Sequence, residues 1–139
     1  MSAELSVEAR LENLARIRAF VAEACRGAGA PAEDCSALTL AVDEACTNII
    51  EHAYAGTAGG AIAIAVETRP DEIRVTLLDR GRAFDPTAVP TPDLALDWKE
   101  RPIGGLGWHL IRASVDDVDY EPGPDGGNRL TLVKRSPRR

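Results

Sequence analysis

Apolar positions repeat with helical spacing over the first third of the chain. From Val7 to about Arg26, the residues Leu11, Leu14, Ile17, Phe20, Val21 and Ala24 recur at three- and four-residue steps among Glu and Arg. That period predicts an amphipathic helix. Gly27 to Pro31 interrupts it. A second helix is expected to begin near Pro31, a residue suited to a first helical turn, with Glu33 and Asp34 at the positive end of the dipole. It is expected to run to about Ala55, before Gly56.

The period then changes to two. Ile62, Ile64 and Val66 alternate with alanines, and Ile73, Val75 and Leu77 alternate with Glu72, Arg74 and Thr76. With Arg69, Pro70 and Asp71 between them, these runs predict a hairpin. The stretch from Arg80 to Gly105 holds Pro86, Pro90, Pro92 and Pro102 and few periodic apolar positions, which predicts a long loop. A short helix from Leu106 to about Val115 follows. A strand at Val118 to Glu121, a turn at Pro122 to Gly127 and a last strand from Arg129 to Lys134 complete the pattern. Helix, helix, hairpin, loop, helix, hairpin implies an α+β fold, with helices on one face of a mixed, mostly antiparallel sheet. Strand order and handedness do not follow from this pattern.

Composition narrows the class. The 139 residues suit one domain, read over 1–139 with a basic tail from about 134. Apolar residues make up 45% and charged residues 27%, as in a soluble globular chain. Aromatics at 4% leave the core to Ala, Val, Leu and Ile. A net charge of −6 argues against broad binding to nucleic acid or an anionic membrane surface. The tail residues Lys134, Arg135, Arg138 and Arg139 then read as a solvated end. Cys25, Cys35 and Cys46 form no CxxC pair and the histidines are His52 and His109, too few for a zinc site or a disulfide scaffold. Reduced thiols, an N-terminus unlike a signal peptide and no apolar stretch of membrane-spanning length point to the cytoplasm.

Three local patterns carry chemistry. Glu44, Asn48 and His52 are spaced by four residues, on one helical face beside the apolar stripe. Asn offers a neutral oxygen to a hard cation such as magnesium, and Glu can take a proton through a water. The same spacing also describes an exposed polar face. Asp79 is in phase with Ile73, Val75 and Leu77, so its carboxylate points to the core side and needs a partner, such as a purine amine, a backbone amide or a hydroxyl. Gly81 would let the backbone approach a flat ring, although Asp-x-Gly is also an ordinary turn. Gly104-Gly105-Leu106-Gly107 opens a helix, where exposed amides and the dipole favour a phosphate. Arg101, just before it, could reach a terminal phosphate or be solvated.

Taken in order, Glu44-x-x-x-Asn48-x-x-x-His52-Ala53-Tyr54, Asp79-x-Gly81-x-x-Phe84-Asp85-Pro86, Gly104-Gly105-Leu106-Gly107 and Gly127-Asn128-Arg129-Leu130-Thr131-Leu132 resemble the ATP-binding boxes of the GHKL superfamily. That superfamily takes in histidine kinases, type II topoisomerases and the anti-sigma factor serine kinases. The compact size and short lid are most similar to the last. The resemblance spans about Leu11 to Lys134. It implies the two-layer α/β sandwich of the GHKL ATPase fold, binding of ATP or ADP with Mg2+, and a homodimer. It further implies transfer of the γ-phosphate to a serine of an anti-anti-sigma (STAS-type) protein, alternating with capture of a sigma factor.

Residue by residue, Glu44 matches the general base and Asn48 the magnesium ligand. Asp79 matches the carboxylate that reads the adenine amine, with Gly81 beside the ring. Gly105 and Gly107 match the phosphate-end glycines, and Thr131 the hydroxyl that helps hold Asp79 and the adenine. Arg101 sits where some members carry a phosphate-contacting arginine. A different reading is a nucleotide-dependent interaction module that transfers no phosphate; phosphoserine on the partner separates the two. A histidine kinase fragment would need a phosphoacceptor helix, which neither His52 nor His109 suits. Apolar or small residues on both faces of the hairpin lead us to expect a covered outer sheet face, with a second copy as the cover.

Overall fold

A computed structural model describes residues 2–56, 59–83, 85, 105–123 and 126–136. Its first element differs from the helical expectation. Ser2–Glu8 forms a strand, β1, whose Ala3, Leu5 and Val7 alternate with Ser and Glu. Val7, expected to open a helix, is buried opposite Ile62. Period-2 side chains suit a pleated edge, and the free edge of the next strand supplies the backbone partners.

The helix starts only after a 3₁₀ turn at Leu11–Asn13. Helix α1 (Leu14–Gly27) buries Ile17, Val21 and Cys25, four residues apart, and stops before Gly29, whose φ of 81° no other residue type adopts easily. Helix α2 (Ala32–Asn48) follows Pro31 and carries Glu33 and Asp34 in its first turn. It buries Cys35, Leu38, Ala41, Val42, Ala45 and Cys46. The expected single helix to Ala55 instead widens into a π turn at Ile49–Ala53, where the Tyr54 N–H reaches back to the Ile49 carbonyl at 3.0 Å.

Strands β2 (Ala61–Thr68) and β3 (Glu72–Asp79) form the expected hairpin, closed by the Arg69 N–H on the Glu72 carbonyl at 2.9 Å. Helix α3 (Gly105–Ser114), β4 (Asp117–Pro122) and β5 (Asn128–Arg135) follow. The sheet order is β1-β2-β3-β5-β4. Among the described residues all four strand pairings are antiparallel, where a mixed sheet was expected. The last hairpin enters with β5 against β3 and β4 outermost.

The inner face presents Ile62, Ile64, Val66, Ile73, Val75, Leu77, Leu130 and Leu132 to Ile17 and Val21 of α1, Leu38 and Val42 of α2 and Ile111 of α3. Burying each such side chain contributes about 1.5–3 kcal/mol before entropy is counted. The outer face carries Ala63, Ala65, Thr76, Leu78 and Thr131, and among the described residues no helix packs on it.

Candidate functional site

Among the described residues only four polar or charged side chains are buried: Asn48, Asp79, Asn128 and Ser136. Ser136 is held by Asp34 at 2.7 Å, away from the others. The remaining three line one cleft, together with Ala45, Ile49, Ala53, Ile111, Tyr120 and Leu130. A mostly apolar wall with a few converging polar groups is the usual make-up of a small-molecule site.

One end of the cleft is built by α2 and α3. Glu44 and Asn48 lie one turn apart on α2, and the first turn of α3 comes directly against them. A β-carbon at Gly107 would stand 2.9 Å from Glu44 Oε2 and 4.0 Å from Asn48 Oδ1. Burial, and after it the carboxylates of Asp43 and Glu51, push the Glu44 carboxyl above its ordinary value. A carboxylate so placed is a better proton acceptor than a fully solvated one. Gly105 opens α3, so its backbone lies at the helix's amide-rich end. The π turn takes His52 out of the simple four-residue ladder, and its carbonyl accepts from Arg82 Nη2 at 3.3 Å.

The other end is built by strand ends. Asp79 closes β3, in phase with Ile73, Val75 and Leu77, and pairs with Asn128 at the start of β5. Its Oδ1 accepts from the Gly81 N–H at 2.9 Å and from Asn128 Nδ2 at 2.9 Å. Its Oδ2 is buried with no hydrogen-bond partner among the described residues. Burial raises the Asp79 pKa, opposed by the hydrogen bonds from Asn128 and Gly81. An orphan buried oxygen on a carboxylate is costly, and a ligand donor would satisfy it.

Gly81 is required by contact. A β-carbon there would lie 2.5 Å from the Ala53 carbonyl oxygen, the same oxygen that accepts from the Arg82 N–H at 2.7 Å. The π turn therefore fastens the end of β3 to the end of α2. Tyr54 adds a second tie: its hydroxyl donates to the Ala61 carbonyl at 2.7 Å and accepts from the Arg80 N–H at 2.8 Å.

Two expected positions need separate mention. Arg101 lies outside the described residues, as do Phe84 and most of the expected long loop. Thr131 does not meet Asp79. It pairs with Thr76 and Asp119 and alternates with buried Leu130 and Leu132, which puts it on the outer sheet face. The residue beside Asp79 is Asn128, itself bonded to the Tyr120 hydroxyl at 2.6 Å. Neither Asn128 nor Tyr120 was singled out from the sequence. The signal was present, because Asn128 is in phase with the apolar positions Leu130 and Leu132 and Thr131 is not.

The sequence profile of the histidine kinase-like ATPase domain matches residues 7–134. The chain belongs to that family. Among relatives of this histidine kinase-like ATPase domain, the serine/threonine-protein kinase BtrW of Bordetella bronchiseptica is 35% identical over 99 residues, covering 71% of this chain and 69% of BtrW. The serine-protein kinase RsbW of Bacillus cereus is 32% identical over 119 residues, 83% of this chain and 74% of the relative. In three dimensions the domain superposes along its whole length on the structure of the RsbU and RsbW domains of Rv1364c from Mycobacterium tuberculosis, with a TM-score of 0.71 and 23% identity. It spans 33% of that longer chain, a likeness of fold. The two-layer α/β arrangement of the GHKL ATPases is therefore the architecture here, and membership of an ATPase family implies nucleotide binding. No described helix is long and apolar enough to cross a membrane.

Proposed function

We propose that this chain is an ATP-dependent serine protein kinase and anti-sigma factor of a bacterial partner-switching pathway, phosphorylating an anti-anti-sigma (STAS-type) protein and sequestering a sigma factor. The carrying observation is the clustering of Asn48, Asp79 and Asn128 in one cleft, with Glu44 and Gly107 close to Asn48. The names of its relatives BtrW and RsbW support the same reading.

The residues present fit the groups such a reaction needs. The orphan Asp79 Oδ2 suits the amino group of adenine, and Gly81 would serve beside the ring through its N–H, which holds Asp79 Oδ1. Asn48 would hold a magnesium ion through its carboxamide oxygen, a hard neutral donor. Phosphate oxygens and water would complete the ion's shell. When bound, the ion supplies neutralisation of the phosphate charge.

Glu44 accepts the proton of the substrate serine as its oxygen bonds to the γ-phosphorus and the bridging bond to the β-phosphate breaks, releasing ADP. The α3 amides from Gly105 to Gly107 face the phosphate end, where Arg101 is assigned a phosphate contact. We read the chain as one cytoplasmic domain. We assign the outer sheet face, with Ala63, Ala65, Thr76 and Leu78, to a homodimer contact.

The test is phosphoserine formation on the anti-anti-sigma protein with labelled ATP and magnesium, beside calorimetric titration of the nucleotide. Glu44→Gln is expected to keep nucleotide affinity within about threefold while transfer falls about 10²–10⁴-fold. Transfer at the normal rate in Glu44→Gln would remove Glu44 from the mechanism. Tight nucleotide binding without any phosphoserine would make the protein a non-catalytic interaction module.

A further inference from the structure

The cleft contains a small polar circuit that the reaction does not use directly. Asn128 donates one amide hydrogen to Asp79 Oδ1 at 2.9 Å and the other to the Arg82 carbonyl at 3.0 Å. Its own oxygen accepts from the Tyr120 hydroxyl at 2.6 Å. A flipped amide would set oxygen against oxygen at both Asp79 and Arg82, so this orientation is determined by chemistry. The sheet supports it: Asn128 is opposite Asp79 across β3–β5, and Tyr120 is opposite Leu130, one inward-facing step along β5 from Asn128.

The consequence falls on the carboxylate. Two donors, the Gly81 amide and the Asn128 amide, converge on Oδ1 and stop the carboxylate from rotating. Oδ2 is then the acceptor left for a ligand, buried at the cleft wall. We propose that Asn128, held by Tyr120, is a positioning and specificity-determining residue that aims Asp79 Oδ2 at the exocyclic amine of an adenine nucleotide. This rests on the reading of the cleft as an ATP site. Asn128 and Tyr120 act through Asp79 and have no contact with the phosphates in this account.

The circuit makes base discrimination separable from affinity. A carboxylate fixed as acceptor rewards a 6-amino group and gains nothing from a purine that lacks one. A carboxylate free to turn loses that preference even where the ring still enters the cleft.

The experiment compares ATP with purine riboside triphosphate, which lacks only the amino group, by calorimetry on the full chain. Wild type is expected to favour ATP by about 10- to 100-fold, as for a hydrogen bond to a charged group. In Asn128→Ala the preference is expected to fall below about threefold, and in Tyr120→Phe to lie between the two. Thermal melts accompany each variant, and Tyr120→Phe, which removes one hydroxyl, serves if Asn128→Ala does not fold. If both nucleotides weaken in parallel and the wild-type ratio survives in the folded variants, Asn128 is only structural and the proposal is overturned. If Asp79→Asn abolishes the preference while the Asn128 and Tyr120 variants keep it, Asp79 reads adenine and the positioning role alone fails. A wild type with no preference for ATP would overturn both.

Discussion

Replacing Gly107 by alanine separates the chemistry of the site from the stability of the fold. The new β-carbon would stand 2.9 Å from Glu44 Oε2, 3.9 Å from Glu44 Cδ and 4.0 Å from Asn48 Oδ1. Only the first is closer than ordinary contact, and it meets the tip of a side chain that can turn aside. Gly107 lies within α3, where alanine gains about 0.5–1 kcal/mol over glycine. Pushing Glu44 off its preferred rotamer costs about 0.5–1.5 kcal/mol, so the two nearly cancel. For 139 residues, about 2.1 cal/mol/K per residue converts 1 kcal/mol into about 3 °C. The melting temperature of Gly107→Ala is therefore expected within about 3 °C of wild type.

Transfer behaves differently. A displacement of a few tenths of an ångström at a proton acceptor is expected to slow phosphoryl transfer about tenfold, with a smaller loss of nucleotide affinity. Single-turnover phosphorylation, calorimetry and a thermal melt on the same preparation measure all three. An unchanged rate would refute the claim that Gly107 keeps Glu44 in place for the reaction. A large loss of stability would show instead that the first turn of α3 abuts something less yielding than a carboxylate.

Gly81→Ala is the contrasting case. Its β-carbon meets a backbone oxygen at 2.5 Å, so β3 or the π turn must shift, which is expected to cost about 1–3 kcal/mol in urea unfolding and to abolish nucleotide binding. Asp79 should leave a signature in pH. Burial raises its pKa in the folded protein, so the folded state holds the proton more tightly than the unfolded chain. The stabilisation tied to that proton is complete below the unfolded value, near 3.8, and is lost as pH rises through the raised value. Stability of wild type relative to Asp79→Asn, measured by denaturant unfolding, is thus expected to fall from pH 4 towards neutrality, and a rise would reverse the assignment. The described thiols Cys25, Cys35 and Cys46 are all buried, and burial, with smaller contributions from Asp43 and Asp79, pushes Cys46 up to about 12. At pH 8 roughly one Cys46 in ten thousand would be thiolate, so a disulfide reagent should label it only at the rate of unfolding.

Helix positions and the inward set of each central strand were legible in the sequence, because periodicity is a property of neighbouring residues. The β2–β3 hairpin, the apolar stripe of α2 and the inward direction of Asp79 all follow from spacing alone, and so does the shared face of Glu44 and Asn48. The order of the ATP-binding boxes, too, is legible without coordinates. Other features depend on partners far away in the chain. Ser2–Glu8 becomes a strand because β2 has an open edge, and no local rule announces that edge. The approach of Gly107 to Glu44 depends on how α3 packs against α2. The pairing of Asp79 with Asn128 joins residues 49 positions apart, so the motif alone pointed to Thr131, on the wrong face of the same strand. Spacing along the chain determines which way a side chain points; only the packed sheet and its covering helices decide what it meets there.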